Sequence, residues 1–283
     1  MGEPRRWRHR PRPRRVGQLS STAPPLAPAI ARQRNVILVV LLVLAAVGWI
    51  VVLRQASEPT PMGMRDQMGM RDDVGPDLTM GGSWPLFLTM WVAMMVAMMF
   101  PAAAPMVLMY GRMRKSDPPS VALFTGSYIA LWFVFGVGAY LLSAAIENVA
   151  SKSEWVAMNW GRAGGALLVL AGLYQLTPLK DVCLRRCRTP LSFVMTQWRD
   201  GRSGALQMGL IHGMYCVGCC WLLFLILIPL GVMNVAAMVA VAALVFAEKV
   251  VPHGRTFGII AAAGMIASGV AVTLSPSLLP TVA

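Results

Sequence analysis

The chain has 283 residues, of which 57% are hydrophobic and 13% charged, with a mean hydropathy of +0.61. Soluble domains carry about 25% charged residues, so this composition excludes an ordinary soluble globular protein and points to a polytopic membrane protein. The net charge of +13 is unevenly placed, and its distribution orients the chain.

Residues 1–34 hold nine arginines against Glu3 alone, together with six prolines. Such a segment cannot bury a core and is expected to be disordered. Its basic character suits a cytoplasmic topology anchor against anionic lipid, with no specific nucleic acid as partner. The first apolar run predicts a transmembrane helix at about 35–53. A polar loop follows over 54–83. The second span is expected at about 84–109, interrupted by Pro101 and Pro105, and the third at about 121–145. Further runs at about 157–178, 205–229, 235–251 and 257–275 complete the set, and 276–283 is a C-terminal tail. The expected fold is all-α: a polytopic transmembrane bundle of about seven helices with a disordered basic N-terminal tail.

Loop charges give an orientation. The stretch 54–83 carries Arg54, Arg65 and Arg71 against Glu58, Asp66, Asp72, Asp73 and Asp77, which suits the outside. The stretch 179–204 carries Lys180, Arg185, Arg186, Arg188, Arg199 and Arg202 against Asp181 and Asp200, which suits the cytoplasm. Lys249 and Arg255 place the turn before the last helix inside as well. The N-terminus is therefore expected in the cytoplasm.

The five cysteines fall in two groups. His212, Cys216, Cys219 and Cys220 lie at i, i+4, i+7 and i+8 in the fifth apolar run. At about 100° per residue their side chains share a sector roughly 100° wide. Three thiols and an imidazole facing one way at membrane depth, where polar groups are costly, point to a soft-metal site. The bland alternative is cysteine as a small hydrophobe. Cys183 and Cys187 sit in the basic cytoplasmic loop just upstream, where thiols stay reduced. Gly209, Gly213 and Gly218 leave room for close helix approach. Adjacent Cys219 and Cys220 are not expected to ligate one ion together from a regular helix. Glu248 is a candidate auxiliary ligand, against a bland reading as an interfacial residue snorkelling beside Lys249.

Methionine supplies 21 residues. Met62, Met64, Met68 and Met70 repeat a Met-Gly-Met unit in the outer loop. Thioethers suit Cu(I) and hold Zn(II) poorly. Met90, Met94 and Met98 form an i, i+4, i+8 row in the second helix, with Met95 and Met99 beside it. That row reads either as a metal relay or as flexible apolar packing. No hydrolase triad, phosphate loop or nucleotide fingerprint is present, and binding is favoured over catalysis.

Several stretches resemble the bacterial DUF2182 family of predicted metal-binding integral membrane proteins. They are Trp91-x-x-Met94-x-x-Ala97-Met98-Met99-x-Pro101, then Ala171-Gly172-x-Tyr174-Gln175-Leu176-Thr177-Pro178, then Cys183-x-x-x-Cys187-Arg188, then His212-Gly213-x-Tyr215-Cys216-x-Gly218-Cys219-Cys220-Trp221, and finally Gly231-Val232-Met233-Asn234 and Glu248-Lys249. The resemblance spans about 84–255 within a helical membrane domain at 84–275. It implies an all-helical bacterial membrane protein with a proposed metal site. It covers neither the tail nor the Met-Gly-Met loop.

The functional expectation is an inner-membrane protein that binds Cu(I), or alternatively Zn(II), for transport or delivery to or from a donor or acceptor protein. Lipid is its other partner. The alternatives are a membrane thiol–disulfide oxidoreductase using the same two cysteine groups with quinone, and a structural subunit without chemistry.

Overall fold

A computed structural model describes residues 26–57, 78–81, 83–114, 117–232 and 234–275. The Met-rich stretch with Met62, Met64, Met68 and Met70, residues 1–25 and residues 276–283 lie outside the described residues.

The described residues are helical almost throughout. In chain order the helices are α1 Leu26–Ser57, α2 Trp84–Met113, α3 Pro118–Ala150, α4 Glu154–Gln175, α5 Pro178–Arg188, α6 Pro190–Gln197, α7 Gly201–Leu225, α8 Leu227–Leu230, α9 Val235–Val250 and α10 Gly254–Leu274. Six stretches are long and apolar enough to cross a membrane: Arg32–Ser57, Trp84–Met113, Pro118–Ala150, Glu154–Gln175, Gly201–Leu230 and Gly254–Leu274. The all-helical membrane-type bundle is therefore as expected, with three differences.

The expected disordered tail at 1–34 is too long, because helix α1 already begins at Leu26. The second helix is not interrupted. Pro101 and Pro105 lie inside an unbroken α2, as packed membrane helices allow when neighbours satisfy the freed carbonyls. The sixth expected span exists as α9, but it has 16 residues. At 1.5 Å per residue it covers about 24 Å, short of a hydrocarbon core of roughly 30 Å.

Small residues set the helix spacing. A Cβ on Gly165 would stand 2.8 Å from the Gly269 carbonyl oxygen, and one on Gly172 would stand 2.9 Å from that of Ala262, so α4 and α10 touch backbone to backbone. A Cβ on Gly209 would meet the Phe124 carbonyl oxygen at 2.2 Å, and one on Gly213 would meet Leu131 at 3.0 Å, which seats α7 against α3. This is the close approach that lets apolar helices associate by van der Waals packing where no hydrophobic drive separates them from lipid.

Large side chains fill what remains. Trp91, Trp132, Phe87 and Phe224 are buried in the central cluster, and the Trp91 indole donates to the Trp132 carbonyl at 3.1 Å. One end of the bundle is tied by Leu78, Trp160 and Ile228. There the Glu147 carboxylate accepts hydrogen bonds from the Leu78 and Thr79 backbone N–H groups and the Thr79 hydroxyl. Gly231, with φ of 92°, reverses the chain from α8 toward α9. The Asn234 side chain then caps α9 by accepting from the Ala237 N–H at 3.1 Å. At the opposite end Arg188 of α5 donates to the Val251 carbonyl at 2.8 Å and to that of Pro252 at 3.0 Å.

Candidate metal centre

The stretch 179–204, expected as a loop, holds two helices. Thr177 is the N-cap of α5, its side chain accepting from the Lys180 N–H at 3.3 Å. Pro178 takes the first helical position, Asp181 the first turn, and Arg185, Arg186 and Arg188 the last. Each choice matches a helix end: the cap satisfies an orphan donor, proline needs no N–H there, and the charges complement the helix dipole. The Thr-Pro signal was in the sequence, but the arginine density hid it. Because α5 is helical, Cys183 and Cys187 at i, i+4 share a face.

That face lies against α7. A Cβ on Gly218 would stand 2.8 Å from Cys183 Sγ, so the missing side chain makes room for this thiol. The Tyr174 hydroxyl donates to the Gly218 carbonyl beside it. One turn further on, Cys187 packs against the cluster that holds Cys216 and Cys219, within interaction range of both thiols. Cys216, Cys219 and Cys220 are at most 1% exposed. All five cysteines are free.

The sulfurs of α7 converge more closely than helical phase suggests. Cys219 Sγ and Cys220 Sγ are 3.2 Å apart, and Cys219 donates to the Cys216 carbonyl at 3.1 Å. Cys216 Sγ lies 3.1 Å from the Tyr128 hydroxyl of α3 and 3.9 Å from Met99 Sδ of α2. The Lys249 ammonium of α9 donates to Cys216 Sγ at 2.9 Å and faces Met99 Sδ at 3.8 Å. Four helices thus meet around one sulfur atom, with α5 bringing a fourth thiol from a fifth.

His212 is buried one turn before Cys216, as the pattern expects. Its ring stacks on Phe124 and Tyr128 at centroid distances of 6.0 and 5.4 Å and meets Phe193 edge-on at 5.5 Å. Nδ1 has no hydrogen-bond partner, an arrangement that costs free energy in a buried site. Met90, Met94 and Met98 are all buried, and Met94 and Met98 belong to the same central cluster as the thiols. The methionine whose sulfur reaches Cys216 belongs to the neighbouring row, at Met99.

Glu248 does not snorkel beside Lys249. It is 1% exposed, and both its oxygens accept from Lys180 of α5 at 2.7 Å, itself 2% exposed. Consecutive residues of α9 therefore clamp two different helices: Glu248 holds α5 and Lys249 holds α7. The residues that sequence reasoning missed are Lys180, Lys249 and Tyr128. Neither lysine was assigned a partner from the sequence, because charge near a predicted span end gives no hint of a buried one.

Among the described residues no three His, Cys, Asp or Glu side chains are disposed, as they stand, to hold one ion. What the residues form is a buried sulfur cluster with an ammonium against it.

Six long apolar helices around this sulfur-lined interior define the class, a helical membrane-type bundle with a soft-ligand centre. The chain belongs to the PpoB2 copper chaperone family, whose match covers residues 88–272. No curated protein and no solved structure matches it. The matched range contains all five cysteines, His212, Met99, Lys180, Glu248 and Lys249, and it leaves out the Met-Gly-Met loop. The DUF2182 name is not carried by this match, although all the stretches that suggested it lie inside the same range.

Proposed function

We propose that this copper-family protein holds Cu(I) at the junction of α2, α5, α7 and α9 and passes it to an acceptor protein from a bacterial inner membrane. The observation that supports it is the convergence of Cys187, Cys216, Cys219 and Cys220 with the Met99 thioether in a buried, largely apolar setting. Thiolate and thioether sulfur favour Cu(I). Zn(II) prefers a closed tetrahedral set, commonly including imidazole or carboxylate. The carboxylate closest to hand, Glu248, has both oxygens committed to Lys180. Cu(I) is satisfied by two or three soft donors, which small shifts of these side chains supply. His212 stands next to the cluster with a free ring nitrogen and is a further candidate donor. Cys183, at the Gly218 contact, is a further candidate soft donor one helical turn from Cys187.

The test is anaerobic titration of the purified full-length protein with Cu(I) and, separately, Zn(II). Stoichiometric copper and little zinc are expected. The triple change Cys216→Ala, Cys219→Ala and Cys220→Ala removes the copper while the helical circular dichroism persists. Copper retained by that variant overturns the assignment. Replacing Met62, Met64, Met68 and Met70 by Leu reduces copper-dependent growth at low copper and leaves zinc responses unchanged, if the outer loop feeds this site.

A further inference from the structure

The Lys249 ammonium occupies an unusual place. It is 8% exposed, rooted in the last turn of α9, and its close polar contacts are a thiol and a thioether. A buried ammonium ordinarily pairs with a carboxylate, because its desolvation cost is otherwise several kcal/mol. The carboxylate next to it in sequence, Glu248, is turned away and bound to Lys180. The Tyr128 hydroxyl lies 3.1 Å from the same Cys216 Sγ, Cys219 donates to the Cys216 carbonyl, and Cys220 Sγ is 3.2 Å from that of Cys219. Nζ thus stands against a thiol and a thioether, at the edge of a cluster that adds two further thiols and a phenol. That is the donor set of a soft-cation site, with an ammonium of charge +1 against it.

We infer that Lys249 is a tethered stand-in for the metal: its ammonium fills the Cu(I) position in the empty protein, gives way when the ion enters, and returns to displace the ion on transfer. This rests on the copper reading above and adds how the site is kept and emptied. The exchange replaces one monovalent cation by another, and each thiol that ligates the ion gives up its proton to solvent, since thiolate is the ligating form. The ammonium leaves intact with its protons. A divalent ion would leave an extra positive charge in a buried site, where Coulomb energies are large. The exchange therefore discriminates against Zn(II) by charge as well as by ligand softness. The four-carbon stem lets the head group swing without moving the helix. Glu248, locked on Lys180, keeps the α9 backbone fixed while this happens. The competing role for Lys249 is a fixed charge that orients Cys216 for the metal. The two roles predict opposite signs. Removing a competitor tightens metal binding, and removing an orienting charge weakens it.

The experiment uses the full chain in detergent micelles, anaerobically, with Cu(I) partitioned against the chromophoric chelator bicinchoninate. Lys249→Leu removes the cation and adds no soft donor that could itself bind copper. It is expected to bind Cu(I) roughly ten times more tightly than the wild type, the equivalent of one lost hydrogen bond to a charged group. It should also release copper to excess chelator correspondingly more slowly. Lys249→Arg keeps the cation and is expected to stay near wild-type affinity. Lys249→Gln carries the same expectation as Lys249→Leu and stands in for it if the leucine variant aggregates. A wild type that binds Cu(I), with both uncharged variants binding equally or more weakly, overturns the stand-in role and leaves the copper site. A wild type that binds no Cu(I) overturns both.

Discussion

Lys180 and Glu248 offer the sharpest test of how α5 and α9 are held together. The ammonium donates to both carboxylate oxygens at 2.7 Å, and neither side chain is more than 2% exposed. Both groups are thus held out of bulk water in the folded protein. Lys180→Met therefore leaves an unpaired carboxylate, and Glu248→Met leaves an unpaired ammonium. Each single change is expected to cost about 3–5 kcal/mol. The double change Lys180→Met with Glu248→Met removes both charges and restores apolar packing. It is expected to be near neutral, or up to about 4 kcal/mol more stable than the wild type. Denaturation followed by circular dichroism in a fixed detergent, for all four proteins, completes the double-mutant cycle. Cys187, which α5 carries to Cys216, should become more reactive toward maleimide in either single variant. Single changes costing less than about 0.5 kcal/mol, the range of an ordinary surface substitution, would refute the reasoning. So would a double variant no more stable than the worse single one.

Other consequences are open to direct measurement. Gly209→Ala places a methyl group 2.2 Å from the Phe124 carbonyl and 2.1 Å from Ser127 Oγ, so it should push α7 off α3 and cost about 1–3 kcal/mol or more. Gly126→Ala, on the same α3 with open space around its Cβ, should change stability little by comparison. Burial raises the Cys183 thiol above its ordinary pKa. Its thiolate, the reactive form, therefore appears only at higher pH. In a variant retaining Cys183 alone, the alkylation rate should be lower than that of an unburied thiol at neutral pH and should climb as pH rises past the usual thiol range. A rate already at its plateau near neutrality would contradict this. Ser192→Cys, exposed on α6, in an otherwise cysteine-free chain, should react with an impermeant maleimide only after cells are opened. Labelling of intact cells would reverse the orientation deduced from the charges.

Much of the fold was legible in the sequence because it depends on quantities that add along the chain. Long apolar runs located six spanning helices to within a few residues at most ends, and glycines at 209, 213 and 218 correctly marked close helix contacts. The clustering of Cys216, Cys219 and Cys220 followed from helical periodicity alone, since 3.6 residues per turn gathers i, i+4, i+7 and i+8 on one side. Local signals that were present but outweighed were the Thr177-Pro178 start of α5 and the shortness of α9. The first was masked by the surrounding arginines; the second was already visible in the expected run of 235–251, which is short for a span.

What tertiary structure alone decided is which polar groups face one another. Lys180 is 68 residues from Glu248 in the chain, and Lys249 is 33 from Cys216. No periodicity links them, and their charges taken singly look like ordinary span-end anchors. Only the packing of α5 and α7 against α9 buries them. Burial then converts two surface-type lysines into a structural clamp and a cation seated among sulfurs, because a charge removed from water must find its compensation in whatever the neighbouring helices present. The choice of Met99 over Met98 as the sulfur beside Cys216 is of the same kind. Both are buried methionines on one helix, and the rotation of α2 against α7 determines which one meets the thiol.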